Sequence, residues 1–286
     1  MQNVALIGLG TMGIGMGGRL LGAGFPLTVY NRTPERAAEL IKQGAKLASS
    51  PVEAAANADI VLAMVSDDKV SREVWLGENG ALKSAKPGTV CIDCSTLSPA
   101  WTRELAAEAK KYGCEFLDAP VTGTKPHAAS GELLFLVGGS AEALEKARPA
   151  LAVMSRKIVH MGASGSGALM KLINNFVCGV QLASLAEAMV LIERSGLNRE
   201  SALDILNNGA PGSPLVKTLS ARMVNKDYAV NFVLNLMEKD LTYARNEGRQ
   251  HDLNLKTAAA AIELFEQARS RGWGDKDFSS VVEGIR

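Results

Sequence analysis

The sequence predicts an α/β chain: a doubly wound parallel sheet first, an all-α region after it, and a long helix joining the two. Three observations carry this. Short apolar runs of strand length recur through the first half at Val4 to Ile7, Leu27 to Tyr30, Asp59 to Val65 and Thr89 to Asp93, with helical segments between them. Beyond Ile158-Val159-His160 no strand pattern returns. From Ala168 to Ile192 the chain is apolar nearly all round, with no charge between Leu172 and Ala186, as a buried helix requires. The 286 residues, 47% of them apolar, suffice for two cores. The expected division is 1–162 and 163–286.

The first run breaks into Gly8-Leu9-Gly10-Thr11-Met12-Gly13, with glycines first, third and sixth. Such a turn opens a helix whose N-terminus can face a pyrophosphate, which makes Gly8, Gly10, Thr11, Met12 and Gly13 candidate dinucleotide ligands of a Rossmann-type unit. By itself the pattern also suits a glycine-rich turn without a ligand. The second strand ends in Asn31-Arg32-Thr33, where an NAD site usually carries an acid for the ribose hydroxyls. A carboxylate there would repel a 2′-phosphate. Arg32 can bind one, with Asn31 and Thr33 as neutral donors, so NADP is the expected cofactor. The alternative is a solvated Arg32, with Thr33 merely capping the helix begun by Pro34.

Ser50-Pro51-Val52-Glu53 has the spacing of a capping box, and Ser98-Pro99 begins a helix by similar logic. Ligands of an open parallel sheet lie beyond the carboxyl ends of its strands, which places Met64, Val65, Ser66 and Thr96 to flank a nicotinamide. After Glu115 to Asp118 comes a loop, Ala119 to Pro126, whose N–H groups around Gly123 can form a concavity for a carboxylate. Turn chemistry alone also accounts for Pro120, Gly123 and Gly131.

In the second half Lys171 stands out near the start of the long helix, with Asn174 and Asn175 three and four residues on and so on one face. The helix must be largely buried, and two amides can hold the ammonium, which favours a functional lysine over a snorkelling one. The uncharged stretch contains Asn174, Asn175 and Gln181, which suits a core helix better than a membrane span. Asn198 caps a segment ending at Gly209. Leu234, Met237, Leu241 and Ala244 recur on one helical face, as do Leu255, Ala258, Ala259, Ile262 and Phe265.

A net charge of +1 without long runs of either sign gives no footprint for nucleic acid or an anionic membrane. The amino terminus lacks a signal-peptide pattern, and a cytoplasmic location is expected. The four cysteines suggest no disulfide framework; Cys91 and Cys94 form a lone CxxC whose odd spacing turns them to opposite faces of a strand. Three histidines, none with metal-ligand spacing, give no support for a metal site.

Four motifs in order make the chain resemble the β-hydroxyacid dehydrogenase family over almost its full length. These are Gly8 to Gly13, then Asp118-Ala119-Pro120-Val121-Thr122-Gly123-Thr124, then Gly165-x-Gly167-x-x-x-Lys171-x-x-Asn174-Asn175, then Lys239-Asp240-Leu241. The resemblance implies Lys171 as catalytic residue, Asn175 as its partner and a substrate ligand, and Thr122, Gly123 and Thr124 as a carboxylate cradle. It also implies Thr96 and Lys239 near the cofactor, with Phe232 and Asp240 at the rim of the substrate pocket. Many members carry a second glycine where this chain has Thr124. Gly123-Thr124-Lys125, Asn31-Arg32 and the closing Gly274-Asp275-Lys276-Asp277-Phe278-Ser279 are similar to the glyoxylate and succinic semialdehyde reductase branch. Asn174 stands where related phosphogluconate dehydrogenases have histidine, and Lys171 departs from the residue types of imine reductases.

The implied activity is NADPH-dependent reduction of small aldehyde acids, with Lys171 as general acid. A 3-hydroxyisobutyrate or tartronate semialdehyde dehydrogenase is the runner-up, and a non-catalytic NADP-binding module a third reading. The largely apolar helical region suggests self-association as a homodimer or homotetramer.

Overall fold

The computed structural model describes the whole chain, Met1–Arg286, as two compact units, Met1–Lys171 and Leu172–Arg286. The division falls inside the long helix, between Lys171 and Leu172, whereas the sequence reading puts it at 162/163, just ahead of that helix. The first turns of the helix pack with the unit that precedes them.

The first unit holds strands β1 (Val4–Ile7), β2 (Leu27–Tyr30), β3 (Lys46–Leu47), β4 (Ile60–Ala63), β5 (Val90–Asp93), β6 (Glu115–Asp118), β7 (Val121–Thr122), β8 (Leu133–Gly139) and β9 (Ser155–Gly162). Its helices are α1 (Gly13–Gly22), α2 (Ala38–Lys42), α3 (Pro51–Ala55), α4 (Asp68–Leu76), α5 (Pro99–Lys111), α6 (Lys125–Ser130) and α7 (Ala141–Ala152). The strands lie in the order β3-β2-β1-β4-β5-β6-β8-β7, with β9 on β8. From β3 to β6 all pairings are parallel. The remainder is mixed, because β8 returns antiparallel to β6 and β7 while β9 runs parallel to β8.

Alternation along each central strand feeds two apolar layers. Leu6, Val29, Leu62, Ile92 and Leu117 face one layer with Met16, Leu20 and Leu144; Ile7, Val61, Cys91 and Phe116 face the other with Trp75, Trp101 and Leu105. Cys94 belongs to the first layer and Cys91 to the second, the opposite facing expected of the lone CxxC, and all four cysteines are free thiols. The chain crosses from one side of the sheet to the other between β1 and β4, so their carboxyl ends form the switch point at which such folds take ligands.

Helix starts follow the capping rules, with one difference. Ser50 accepts from Glu53 N–H, but the Glu53 carboxylate reaches past Ser50 to Ser49, taking its N–H at 2.7 Å and its hydroxyl at 2.5 Å, so the box is not reciprocal. Thr33 makes no side-chain cap. Helix α7 has Pro149 in its interior and goes unread in the sequence, as do the two-residue strands β3 and β7.

The second unit contains most of α8 (Ser166–Ser195), then α9 (Arg199–Asn208), α10 (Pro214–Asn225), α11 (Leu234–Gln250) and α12 (Lys256–Ala268). Leu182, Leu185 and Met189 of α8 pack with Met237, Leu241, Ile262 and Phe265. By length and composition α8 could cross a membrane, yet half of its apolar window is buried and Asn175 within it makes a buried polar contact. That marks a core helix.

Candidate active site

The glycine turn is built by its own backbone. Gly8 has φ +98°, its N–H donates to Tyr30 O at 2.8 Å, and a Cβ there would lie 2.2 Å from Met64 O. A Cβ on Gly13 would lie 2.0 Å from Gly8 O. Neither position admits a side chain. A Cβ on Gly10, by contrast, would meet nothing within 4 Å, and no side chain caps α1. Space beside the Gly10 backbone and an uncapped helix N-terminus are what a pyrophosphate needs, so the residues fit a dinucleotide. Thr11 is exposed, and Met12 leans on the apolar layer behind it.

Asn31 Oδ1 accepts from Leu9 N–H at 2.9 Å and its Nδ2 donates one hydrogen to Thr33 O at 2.8 Å, so the side chain braces the glycine turn against the end of β2. Arg32 is exposed and enters none of the ion pairs of the chain. It remains the one cation of this tripeptide.

The ends of β4 and β5 are held by a buried acid that the sequence reading passes over. Val65 N–H donates to Ser95 Oγ (2.8 Å) and Ser95 N–H to Asp93 Oδ1 (2.9 Å). Asp93 Oδ2 accepts from Ser71 Oγ (2.7 Å) and Trp75 Nε1 (2.8 Å), and Trp101 Nε1 donates to Ser71 Oγ (2.9 Å). Burial pushes the Asp93 carboxyl above the usual range, against the pull of these hydrogen bonds. The network fixes the loops carrying Met64, Val65, Ser66 and Thr96. Ser66 Oγ turns to Asp67, whose side chain caps α4. The available signal was an acid closing an otherwise apolar strand.

In the substrate-type loop, Gly123 has φ +127° and follows Thr122 at the end of β7. Thr124 N–H donates to His127 Nδ1 at 3.2 Å, and Thr124 Oγ1 lies 3.0 Å from the same nitrogen. One donor of the expected cradle is therefore taken up by His127, which closes the start of α6.

The third motif is organised from β6. Asp118, 2% exposed, accepts from Gly165 N–H at 2.8 Å and Ala168 N–H at 2.9 Å. Burial pushes its carboxyl up to about 6 although these hydrogen bonds pull the other way. Lys171 follows in the second turn of α8, half-buried. One turn on, Asn174 Nδ2 donates to Asn175 Oδ1 at 3.0 Å, and Asn175 Nδ2 donates to Asp240 Oδ2 at 2.6 Å.

Asp240, 1% exposed on α11, holds the Asn175 amide with one oxygen and lies 3.0 Å from Lys239 Nζ with the other. The Lys239 ammonium also lies 5.0 Å from the centre of the Tyr243 ring. Phe232 packs edge-on against Phe278, with centroids 5.3 Å apart, and its N–H donates to Asp277 Oδ2 at 3.1 Å. Asp277 is fully buried and also takes Asn231 N–H and the Ser279 hydroxyl. The closing motif thus shapes the Phe232 loop, a role the linear sequence does not reveal.

A pyrophosphate turn at a Rossmann switch point, followed by a lysine-bearing helix and an all-α unit, defines a nicotinamide-dependent oxidoreductase. Residues 3–162 match the family described as the NAD-binding domain of 6-phosphogluconate dehydrogenase, and residues 165–285 the NAD-binding family of NADP-dependent 3-hydroxyisobutyrate dehydrogenase. Glyoxylate/succinic semialdehyde reductase 1 of Arabidopsis thaliana is 35% identical, covering 100% of this chain and 99% of its own. The chloroplastic reductase 2 of the same plant is 34% identical over 99% of this chain and 79% of its own. The structure of Mycobacterium tuberculosis 3-hydroxyisobutyrate dehydrogenase with L-serine superposes with a TM-score of 0.90 at 34% identity, covering 100% and 99% of the two chains. The chain belongs to the β-hydroxyacid dehydrogenase family of NAD(P)-dependent oxidoreductases.

Proposed function

We propose that the protein reduces small aldehyde acids, glyoxylate and succinic semialdehyde among them, to the hydroxyacids, with NADPH as the preferred cofactor. The observation that carries the reading is Lys171, half-buried in the second turn of α8, in a chain with a complete dinucleotide turn and with Arg32 instead of an acid after β2. Gly8, Gly10, Thr11, Met12 and Gly13 would hold the pyrophosphate, Arg32 the 2′-phosphate, and Met64, Val65, Ser66 and Thr96 the nicotinamide end. The bound reduced cofactor supplies a hydride to the aldehyde carbon. Lys171, as ammonium, stabilises the negative charge growing on the carbonyl oxygen and delivers the proton to it. Thr122, Gly123 and Thr124 hold the substrate carboxylate, and Asn175 keeps the substrate in line with the lysine.

A lysine is ordinarily protonated at neutral pH, so the resting enzyme suits reduction. Oxidation of a hydroxyacid needs the neutral amine, and its rate rises from neutral to alkaline pH; a flat profile there overturns the acid–base role. The deciding experiment is a steady-state panel of glyoxylate, succinic semialdehyde, tartronate semialdehyde and methylmalonate semialdehyde with NADPH and with NADH. Higher kcat/KM for the first two substrates with NADPH is expected. Preference for NADH removes Arg32 from its role, and preference for methylmalonate semialdehyde favours a 3-hydroxyisobutyrate dehydrogenase, the reading that the mycobacterial structure supports.

Ile173, Val177 and Leu191 on α8, with Leu197 after it, are large exposed apolar residues. They support self-association of the helical unit as a dimer or tetramer. A monomeric mass by light scattering overturns this. Four free thiols suit a reducing compartment, the cytoplasm.

A further inference from the structure

The residue at the head of α8 is Gly165, held at φ +95° where it has no side chain to offer the first turn. Helices usually take a cap from their own Ser, Thr, Asp or Asn, as α4, α5 and α9 of this chain do. For α8 the cap comes from a strand far away in sequence. Asp118 Oδ1 accepts from Gly165 N–H and Oδ2 from Ala168 N–H, at 2.8 and 2.9 Å. The fit is tight on every side: a Cβ on Gly138 would lie 2.5 Å from Asp118 Oδ1, and one on Gly167 would lie 2.2 Å from Leu136 O and 2.8 Å from Asp118 O.

We propose that Asp118 is a positioning residue for the reaction: by bridging the first N–H groups of α8 it sets where that helix begins, and so where Lys171 stands. This rests on the reading of Lys171 as general acid. A rigid helix carries any shift at its head through to the next turn, and a misplacement of about 1 Å costs on the order of a hundredfold in rate. Both donors are served only while Asp118 is a carboxylate. Once protonated, it offers one good acceptor to two N–H groups, and one of them must move away.

Burial, not a neighbouring charge, lifts this carboxyl to about 6. The titratable groups on the surrounding elements are Asp93, its register partner on β5, Arg103 of α5 beside Gly165, Lys171 on α8 and His160 of β9, whose ring meets Gly139 O. The strand β8 presents the uncharged Gly138, and α7 turns apolar residues inward. The lysine itself gives reduction no acid limb, because it only becomes more fully protonated as pH falls. A fall in kcat near pH 6 would therefore come from a different group.

The test is kcat for reduction at saturating NADPH and substrate from pH 5 to 8, for the wild type and Asp118→Asn, with hydrogen–deuterium exchange of residues 165–171 on the same proteins. The wild type should lose about tenfold in kcat through pH 6. Asp118→Asn should be roughly tenfold to a hundredfold slower at pH 8, with a flat acid side and NADPH affinity within about twofold. Its 165–171 amides should exchange faster than the wild type's at pH 8, and wild-type protection there, corrected for intrinsic rates, should weaken below pH 6. Wild-type kcat in Asp118→Asn, or unchanged protection of these amides, overturns the proposal. The wild-type exchange arm needs no variant, so a failure of Asp118→Asn to fold leaves the proposal testable. Lys171→Ala separates the two readings: full turnover in that variant removes the lysine from catalysis while the exchange arm still judges Asp118.

Discussion

Two buried aspartates hold the first and third turns of one helix, and they do so by different chemistry. Asp118 holds the head of α8 in the first unit through backbone N–H groups, those of Gly165 and Ala168 among them. Asp240 holds the Asn175 turn in the second unit through a side-chain amide, with the Lys239 ammonium on its other oxygen. Backbone donors fix where a helix starts whatever side chains it carries. A side-chain amide fixes one rotamer and a cation compensates the buried charge, so the second arrangement depends on three residue identities at once. The first should therefore register changes in ionisation, the second changes in sequence.

Ways to break the comparison run from large effects to small. Lys171→Ala, at the residue between the two anchors, should lower kcat for reduction by roughly 10²- to 10⁴-fold while leaving NADPH affinity by fluorescence titration nearly intact. Asp240→Ala strands the buried Asn175 amide and the Lys239 charge, and should cost about 2–4 kcal/mol in urea unfolding as well as activity. A loss confined to activity would show that Asp240 acts on ligand after all.

Asp118 should show the opposite sign. Its folded carboxyl titrates at about 6, above the model-compound value of 3.8, so the folded state binds the extra proton. Its contribution to stability is complete below about pH 4 and is lost as pH rises through 6, a change of order 3 kcal/mol that Asp118→Asn should abolish. Stability and turnover then move in opposite directions with pH at one side chain. Equal pH dependence of urea unfolding in wild type and Asp118→Asn would show that burial does not govern this group. The smallest effect concerns neither anchor: Arg32→Ser should raise KM for NADPH by roughly tenfold to a hundredfold and leave that for NADH unchanged.

Much of the architecture is legible in the residues. Val4 to Ile7 and Val90 to Ile92 are apolar on both faces because the sheet is covered on both sides, and three glycines at fixed spacing specify a backbone turn without any tertiary help. Lys171 is visible because a charge near the start of an otherwise apolar helix needs a reason. The α10 helix is harder to see, since its buried face includes Ser220 and Arg222 and breaks the apolar stripe. Asn31 reads as a cofactor donor from its position alone, whereas its oxygen's bond to the Leu9 N–H of the glycine turn is visible only in the fold.

Periodic and local features are written in the residues: the two halves, the dinucleotide turn, the long core helix and the cation at the end of β2. Spacing along the chain encodes these directly. The parts played by the buried acids come from the packing of distant segments. Asp93, Asp118, Asp240 and Asp277 each meet at least one donor from another segment of the chain, and a carboxylate's role is set by which donors surround it once water is excluded.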